Sequence, residues 1–266
     1  MTDTSPRTDL EPARTPRHFT FYGDGETLSC TQLEAPAPPP ATPENPPLAV
    51  VLLHGAGTSD KARFTALMAD FAARGHQALA FDFSGHGESS GKLGELSLRR
   101  RFTQACAVID RHVPTGRRLV LIGFSMSGQT VADLAAHYGP RVASIGLCAP
   151  AVYGARAWPV PFAAGFTEII RTPDSWRRSP ALDVFRGLSS RAVLVTPAVD
   201  AVIPPAVTEA VAGALGASRS RFTRLVLPDA DHRLGLWFAA NDIPRRRFVD
   251  TVLDGTRHTG CGAAPA

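Results

Sequence analysis

Residues 117–128 read RRLVLIGFSMSG, an apolar run that ends in Gly123-Phe124-Ser125-Met126-Ser127 and passes directly into a segment compatible with a helix. A serine on a tight turn between strand and helix is forced into a strained backbone conformation, and small residues two positions to either side let the two elements pass closely. Gly123 and Ser127 meet that demand. Ser127 itself is a poorer nucleophile candidate, because the residue two places after it is the bulky Gln129. The turn exposes the Ser125 hydroxyl at a sheet edge and places the Met126 N–H at a helix N-terminus, where a developing oxyanion is favoured.

Outward from that turn, short apolar runs alternate with longer segments of helical periodicity from residue 48 onward, the pattern of a parallel sheet covered on both faces. Strands are predicted at Leu48–Leu53, Gln77–Phe81, Arg118–Gly123, Val142–Cys148, Ala192–Thr196 and Arg221–Leu227. Helices are predicted at about 60–74, 95–112, 126–138, 204–216 and 239–254. Ahead of them, residues 19–35 hold two β-prone runs about a Gly-Asp-Gly turn, read as a hairpin. The Pro-rich residues 36–47 read as a stiff extended connection. The chain is thus expected to hold one domain over 18–255, between a disordered tail at 1–17 and a flexible one at 256–266.

A serine hydroxyl needs a base within hydrogen-bond reach and a carboxylate that fixes the base's tautomer. Asp200 is the only carboxylate in the loop after the strand ending at Thr196, and it lies just ahead of a Pro-started helix. It is the acid candidate; the alternative is a turn or cap aspartate. His232 follows the last strand in PDADH (228–232). Of the other histidines after Ser125, His137 falls inside a helix and His258 in the tail, so His232 is the base candidate. Asp231 is a rival to Asp200. The first parallel strand ends in His54-Gly55-Ala56, where the Ala56 N–H is the candidate second oxyanion donor and His54 braces the turn. The Gly-rich loop at 81–89 is read as structural, since it has no phosphate-cradle spacing.

Residues 150–188 break the rhythm with Trp158, Phe162, Phe166 and Trp176 among prolines and arginines, and are too long for an ordinary connection. A lid over the sheet edge, with those four aromatics lining a substrate pocket, is one reading; simple packing of a short cap is the other.

LLHGAG (52–57), FDFSGHGESSG (81–91), GFSMSG (123–128) and the pair PAVDAVIPP with PDADH resemble, in that order, the α/β-hydrolase superfamily, and within it small bacterial lidded esterases of the feruloyl or cinnamoyl type. The resemblance implies a mostly parallel sheet with helices on both faces, no metal or organic cofactor, and a small-molecule substrate with an ester or thioester bond. Acyl transfer or elimination by the same triad is the alternative function, and a non-catalytic binding protein on the same fold is a third. Met126, where Gln or Gly is frequent, and Pro197-Ala198, where a Gly is common, depart from the pattern.

Composition sets the remaining bounds. The 266 residues are 44% apolar and carry a formal charge of only +4, with basic residues scattered rather than gathered into a stripe. The runs Arg99–Arg101 and Arg245–Arg247 read as solvated helix faces, and nucleic acid is not an expected partner. No segment approaches the ~18 consecutive apolar residues of a membrane span, and the polar N-terminus lacks a signal-like core, which predicts a cytoplasmic protein, monomeric or homodimeric. Cys30, Cys106, Cys148 and Cys261 show no metal-ligand spacing and read as free thiols.

Overall fold

The computed structural model describes residues 15–35, 47–254 and 256. Eight strands among them form one sheet: β1 (Arg17–Gly23), β2 (Glu26–Leu33), β3 (Ala49–Leu53), β4 (Gln77–Phe81), β5 (Leu119–Phe124), β6 (Val142–Cys148), β7 (Arg191–Pro197) and β8 (Phe222–Leu227). Their spatial order is β1-β2-β4-β3-β5-β6-β7-β8. The β1–β2 and β2–β4 pairs are antiparallel and all others parallel. The helices are α1 (Thr65–Ala72), α2 (Leu98–His112), α3 (Ser127–Tyr138), α4 (Thr167–Arg171), α5 (Pro180–Arg186), α6 (Pro205–Gly216), α7 (Leu234–Ala240) and α8 (Asp242–Leu253). None is long and apolar enough to cross a membrane.

Every residue of β3 is buried because the strand faces an apolar layer on both sides. Ala49, Val51 and Leu53 pack with residues of α2, α3, α5 and α6, whereas Val50 and Leu52 pack with α1, α7 and α8. Fully buried Phe81, Phe185 and Phe248 fill these layers, each side chain stabilising the fold by about 1.5–3 kcal/mol. The chain runs from β3 to β4 on one side and then returns to β5 on the other. Such a reversal opens a crevice at the carboxyl ends of the strands, where ligands bind.

All six predicted parallel-region strands lie within one residue of their expected limits, and the hairpin is β1–β2 turning at Asp24 and Gly25. The segment at 60–74 is a 3₁₀ turn, Lys61–Phe64, followed by α1. The expected last helix at 239–254 is α8, and it is preceded by an unexpected α7; the two are separated at Asn241, which is extended (φ −126°, ψ 90°) and donates its side-chain amide to the Trp237 carbonyl at 2.8 Å. Pro244 then occupies the first turn of α8, where its missing N–H costs nothing.

Three boundaries shift. Arg17, assigned to the tail, opens β1 and bonds Gln32 at 2.8 Å, while residues 1–14 lie outside the described residues. Thr256 is 5% exposed and bonds Leu253 O, and 257–266, with Cys261, also lie outside, as do 36–46 of the Pro-rich connection. In the 150–188 stretch, Ala181, Leu182 and Phe185 of α5 belong to the main core, so the part standing apart from the sheet framework ends before Pro180.

Candidate active site

β5 delivers Ser125 at φ +51°, the left-handed region that L-residues avoid. Strain of this kind costs about 1–3 kcal/mol and persists only where surroundings hold it. Here the Ser125 N–H donates to Cys148 O, and its carbonyl accepts from the Gly128 and Ala151 N–H groups, each at 2.9 Å. A Cβ on Gly123 would sit 2.5 Å from Ser127 O and 2.7 Å from Val131 Cγ2, so only glycine fits there.

His232 Nε2 lies 3.0 Å from Ser125 Oγ, and His232 Nδ1 lies 3.0 Å from Asp200 Oδ2. The three residues, 107 and 32 positions apart in these contacts, meet because the β5, β7 and β8 loops leave the same edge. The two later loops are tied together, Ala198 N–H donating to Leu227 O at 2.9 Å. The Asp200 carboxylate makes two kinds of contact: Oδ1 accepts from the Val202 and Ile203 N–H groups at 2.8 and 2.9 Å, while Oδ2 faces the histidine. Asp231 is turned away, bonded to Arg233 N and Nε.

The N–H groups of Ala56 and Met126 donate to no acceptor among the described residues. Ala56 follows β3, the strand beside β5, and Gly55 lies so close that a Cβ there would stand 3.1 Å from Ser125 Cβ. His54 braces this loop: it is fully buried, its Nδ1 donates to Gly55 O at 2.7 Å, and its Nε2 accepts from Phe83 N–H at 3.0 Å. Burial, with help from the Arg101 charge, holds its pKa well below the ordinary value, so the ring is neutral.

Two residues of this neighbourhood escaped the sequence reading. Arg101 is not on a solvated face but completely buried, bonded to His54 O and to Ser127 Oγ. The signal was its spacing, since it stands three residues after Leu98 and four and seven before Ala105 and Val108, all buried on one side of α2. Ser127, valued only as small, donates its hydroxyl to His54 O at 2.6 Å. Arg245 is likewise buried, paired with Asp70 at 2.7 Å.

A cavity of about 360 Å³ opens on Ser125 and His232 between the β3 loop and the start of α7, with Phe64, Phe124 and Leu236 in its wall. Among the described residues its lining includes Arg63 and Arg233, the latter paired with Asp231, and no carboxylate of its own. None of Trp158, Phe162, Phe166 and Trp176 lines it, which departs from the expectation that they do. Phe166 and Ala157 pack on the side chains of Met126 and Leu98, joined by Trp158 and Phe162, while Trp176 rests on the main core. These rings are apolar enough to find burial against Met126 and the helices before reaching the cavity.

Trp158 is also anchored, its indole N–H donating to Asp133 Oδ2 at 3.0 Å. Burial outweighs this bond and that from Gln129, raising the Asp133 pKa from 3.8 to about 6. A native-state pKa above the unfolded value stabilises the fold fully below the unfolded value and loses that stabilisation as pH rises through the native one. Relative to Asp133→Asn, the wild type should therefore lose about 2–3 kcal/mol of stability between pH 3.8 and pH 7. Urea unfolding of both proteins at the two pH values measures this; a constant difference between them would refute it.

Among the described residues no group of three or more His, Cys, Asp or Glu side chains is placed to hold a metal ion, and Cys30, Cys106 and Cys148 are free thiols. The protein family described as serine aminopeptidase, S33, matches residues 44–174, which include the β3 loop and Ser125. The sheet order, the strained serine turn and that match agree. The chain has the α/β-hydrolase fold.

Solved α/β hydrolases share its fold at low sequence identity. A Pyrococcus furiosus esterase is 18% identical with a TM-score of 0.62, covering 89% of this chain and 91% of its own. Est1E of Butyrivibrio proteoclasticus, solved with ferulic acid bound, is 17% identical with a TM-score of 0.62, covering 88% and 96%. The thioesterase domain of the curacin biosynthetic pathway is 15% identical with a TM-score of 0.63, covering 90% and 100%. No curated protein matches the chain.

Proposed function

We propose that the chain is a serine hydrolase of esters or thioesters that works through an acyl-enzyme. The observation that carries this is the single imidazole set 3.0 Å from both the Ser125 hydroxyl and the Asp200 carboxylate. With Nδ1–H directed at Asp200, His232 Nε2 is left basic and faces the serine proton. Ser125 Oγ attacks the acyl carbonyl as His232 takes its proton, and the carbonyl oxygen becomes an oxyanion held by the N–H groups of Ala56 and Met126. Donors of this type lower the barrier by about 3–4 kcal/mol each. His232 then protonates the leaving alcohol or thiol. Water, deprotonated by the same imidazole, attacks the acyl-enzyme, and the carboxylic acid leaves with Ser125 restored.

The cavity's charge bears on substrate class. A substrate with a free α-amino group needs a carboxylate to receive it, and among the described residues none lines the cavity, whereas the Arg63 guanidinium does; that of Arg233 is paired with Asp231. Neutral or anionic acyl esters fit that wall better than aminoacyl amides.

The test is a panel of p-nitrophenyl esters, acyl thioesters and aminoacyl p-nitroanilides, with products identified in the presence and absence of an added alcohol. Turnover of esters or thioesters to the free acid is the expected result. Preference for the anilides, transfer to the alcohol in place of hydrolysis, or no turnover on any ester or thioester would overturn it.

A further inference from the structure

The most anomalous group in the described molecule is Arg101. It is fully buried and pairs with no carboxylate among the described residues. Its Nε has no hydrogen-bond partner, and its guanidinium lies 3.7 Å from the centre of the Phe83 ring. A buried charge of this kind is costly to desolvate, and a methionine of similar length commonly serves stability as well or better. Arginine nevertheless keeps its proton in such places. A purely structural demand therefore does not explain the residue.

Its contacts point to one short segment. One terminal nitrogen donates to His54 O at 2.5 Å and to Ser127 Oγ at 2.7 Å, and the other approaches Gly55 O at 3.5 Å. The Ser127 hydroxyl and the His54 ring complete the set on these same two carbonyls, at 2.6 and 2.7 Å. The Gly55 carbonyl belongs to the peptide group that carries the Ala56 N–H. Hydrogen bonds and a cation on the oxygen side of an amide draw electron density from nitrogen and make its N–H a stronger donor.

We propose that Arg101 is a positioning residue for the acyl-transfer step: a fixed cation that orients and polarises the His54–Gly55–Ala56 backbone so that the Ala56 N–H holds the oxyanion more strongly. Ser127, standing where this turn commonly has glycine, links the cation to the same loop through its hydroxyl. The proposal rests on the serine-hydrolase reading given above.

The test compares Arg101→Met, Arg101→Gln and Arg101→Lys with the wild type for thermal unfolding, kcat, KM and inhibition by an alkyl boronic acid, which forms an anionic tetrahedral adduct on the serine. Arg101→Met should remain folded and lose roughly 10- to 100-fold in kcat, with KM within about twofold and boronate affinity falling by the same factor as kcat. Arg101→Lys, which keeps the charge, should recover most of the loss. Should Arg101→Met fail to fold, Arg101→Gln, uncharged but able to keep one bond to His54 O, is expected to show the same parallel losses. A folded, uncharged variant with wild-type kcat and boronate affinity, or one altered in KM alone, overturns the inference. A wild type that neither turns over an ester nor binds the boronate overturns the function reading instead.

Discussion

Replacing Ser125 with Ala should lower kcat on the best ester of the panel by about 10⁵- to 10⁶-fold, with KM changed only a few-fold. In the proposed mechanism the serine oxygen is the atom that bonds the acyl carbon, so its loss would remove the covalent path rather than weaken it. The Ala56 and Met126 N–H groups remain, so a residual acceleration over water is retained. The fold should hardly notice: alanine keeps the Cβ, and the backbone bonds to Cys148, Gly128 and Ala151 that enforce φ +51° do not involve the hydroxyl. Loss of one half-exposed side-chain hydrogen bond costs about 1 kcal/mol. Rates on the ester and labelling by a fluorophosphonate probe give the answer; a variant with more than a tenth of wild-type activity removes Ser125 from the chemistry.

Asp200→Asn should cost about 10⁴-fold in kcat while leaving unfolding nearly unchanged. Asparagine can keep its oxygen at the Oδ1 position, where the Val202 and Ile203 N–H groups hold it. Its amide nitrogen then faces His232 and donates, which forces Nδ1 to accept and puts the ring proton on Nε2, pointing at the serine oxygen. The base is lost through the tautomer alone. Asp200→Ala makes the contrast, because it also strips the two loop N–H groups of their acceptor and should lower stability by about 1–2 kcal/mol in addition. Activity of the Asn variant within tenfold of wild type would return Asp231, now bonded to Arg233, to consideration.

Much of this site was legible because its parts obey local rules. A glycine two residues before a serine at the end of an apolar strand has a steric reason, and the 2.5 Å approach to Ser127 O is that reason in coordinates. Strand limits were readable because β3 to β7 are buried on both faces, so their apolar runs stop where the sheet stops. Long-range packing was not legible. Composition leaves the aromatics at 158–176 free either to line a pocket or to pack as a short cap, because which surface an aromatic covers depends on neighbours such as Met126 and Leu98 that are remote in sequence. Arg101 was misread for the opposite reason: a charged residue within a basic run suggests solvent, and only its spacing from Leu98 and Ala105 marks it as inward. The break at Asn241 needed the side-chain bond to Trp237 O, which periodicity does not carry.

The placement of the histidine on the loop after β8 has a consequence for how such an active centre fails. β8 lies at the margin of the sheet and, among the described residues, is laddered only to β7. Marginal strands open at lower free energy than the interior ones. In the proposed mechanism, partial detachment of that margin would carry off the imidazole while Ser125 stayed bonded to β6 at Cys148, silencing proton transfer in a molecule still largely folded. The proposed base is thus carried by an edge strand, while the proposed nucleophile is carried by an interior one.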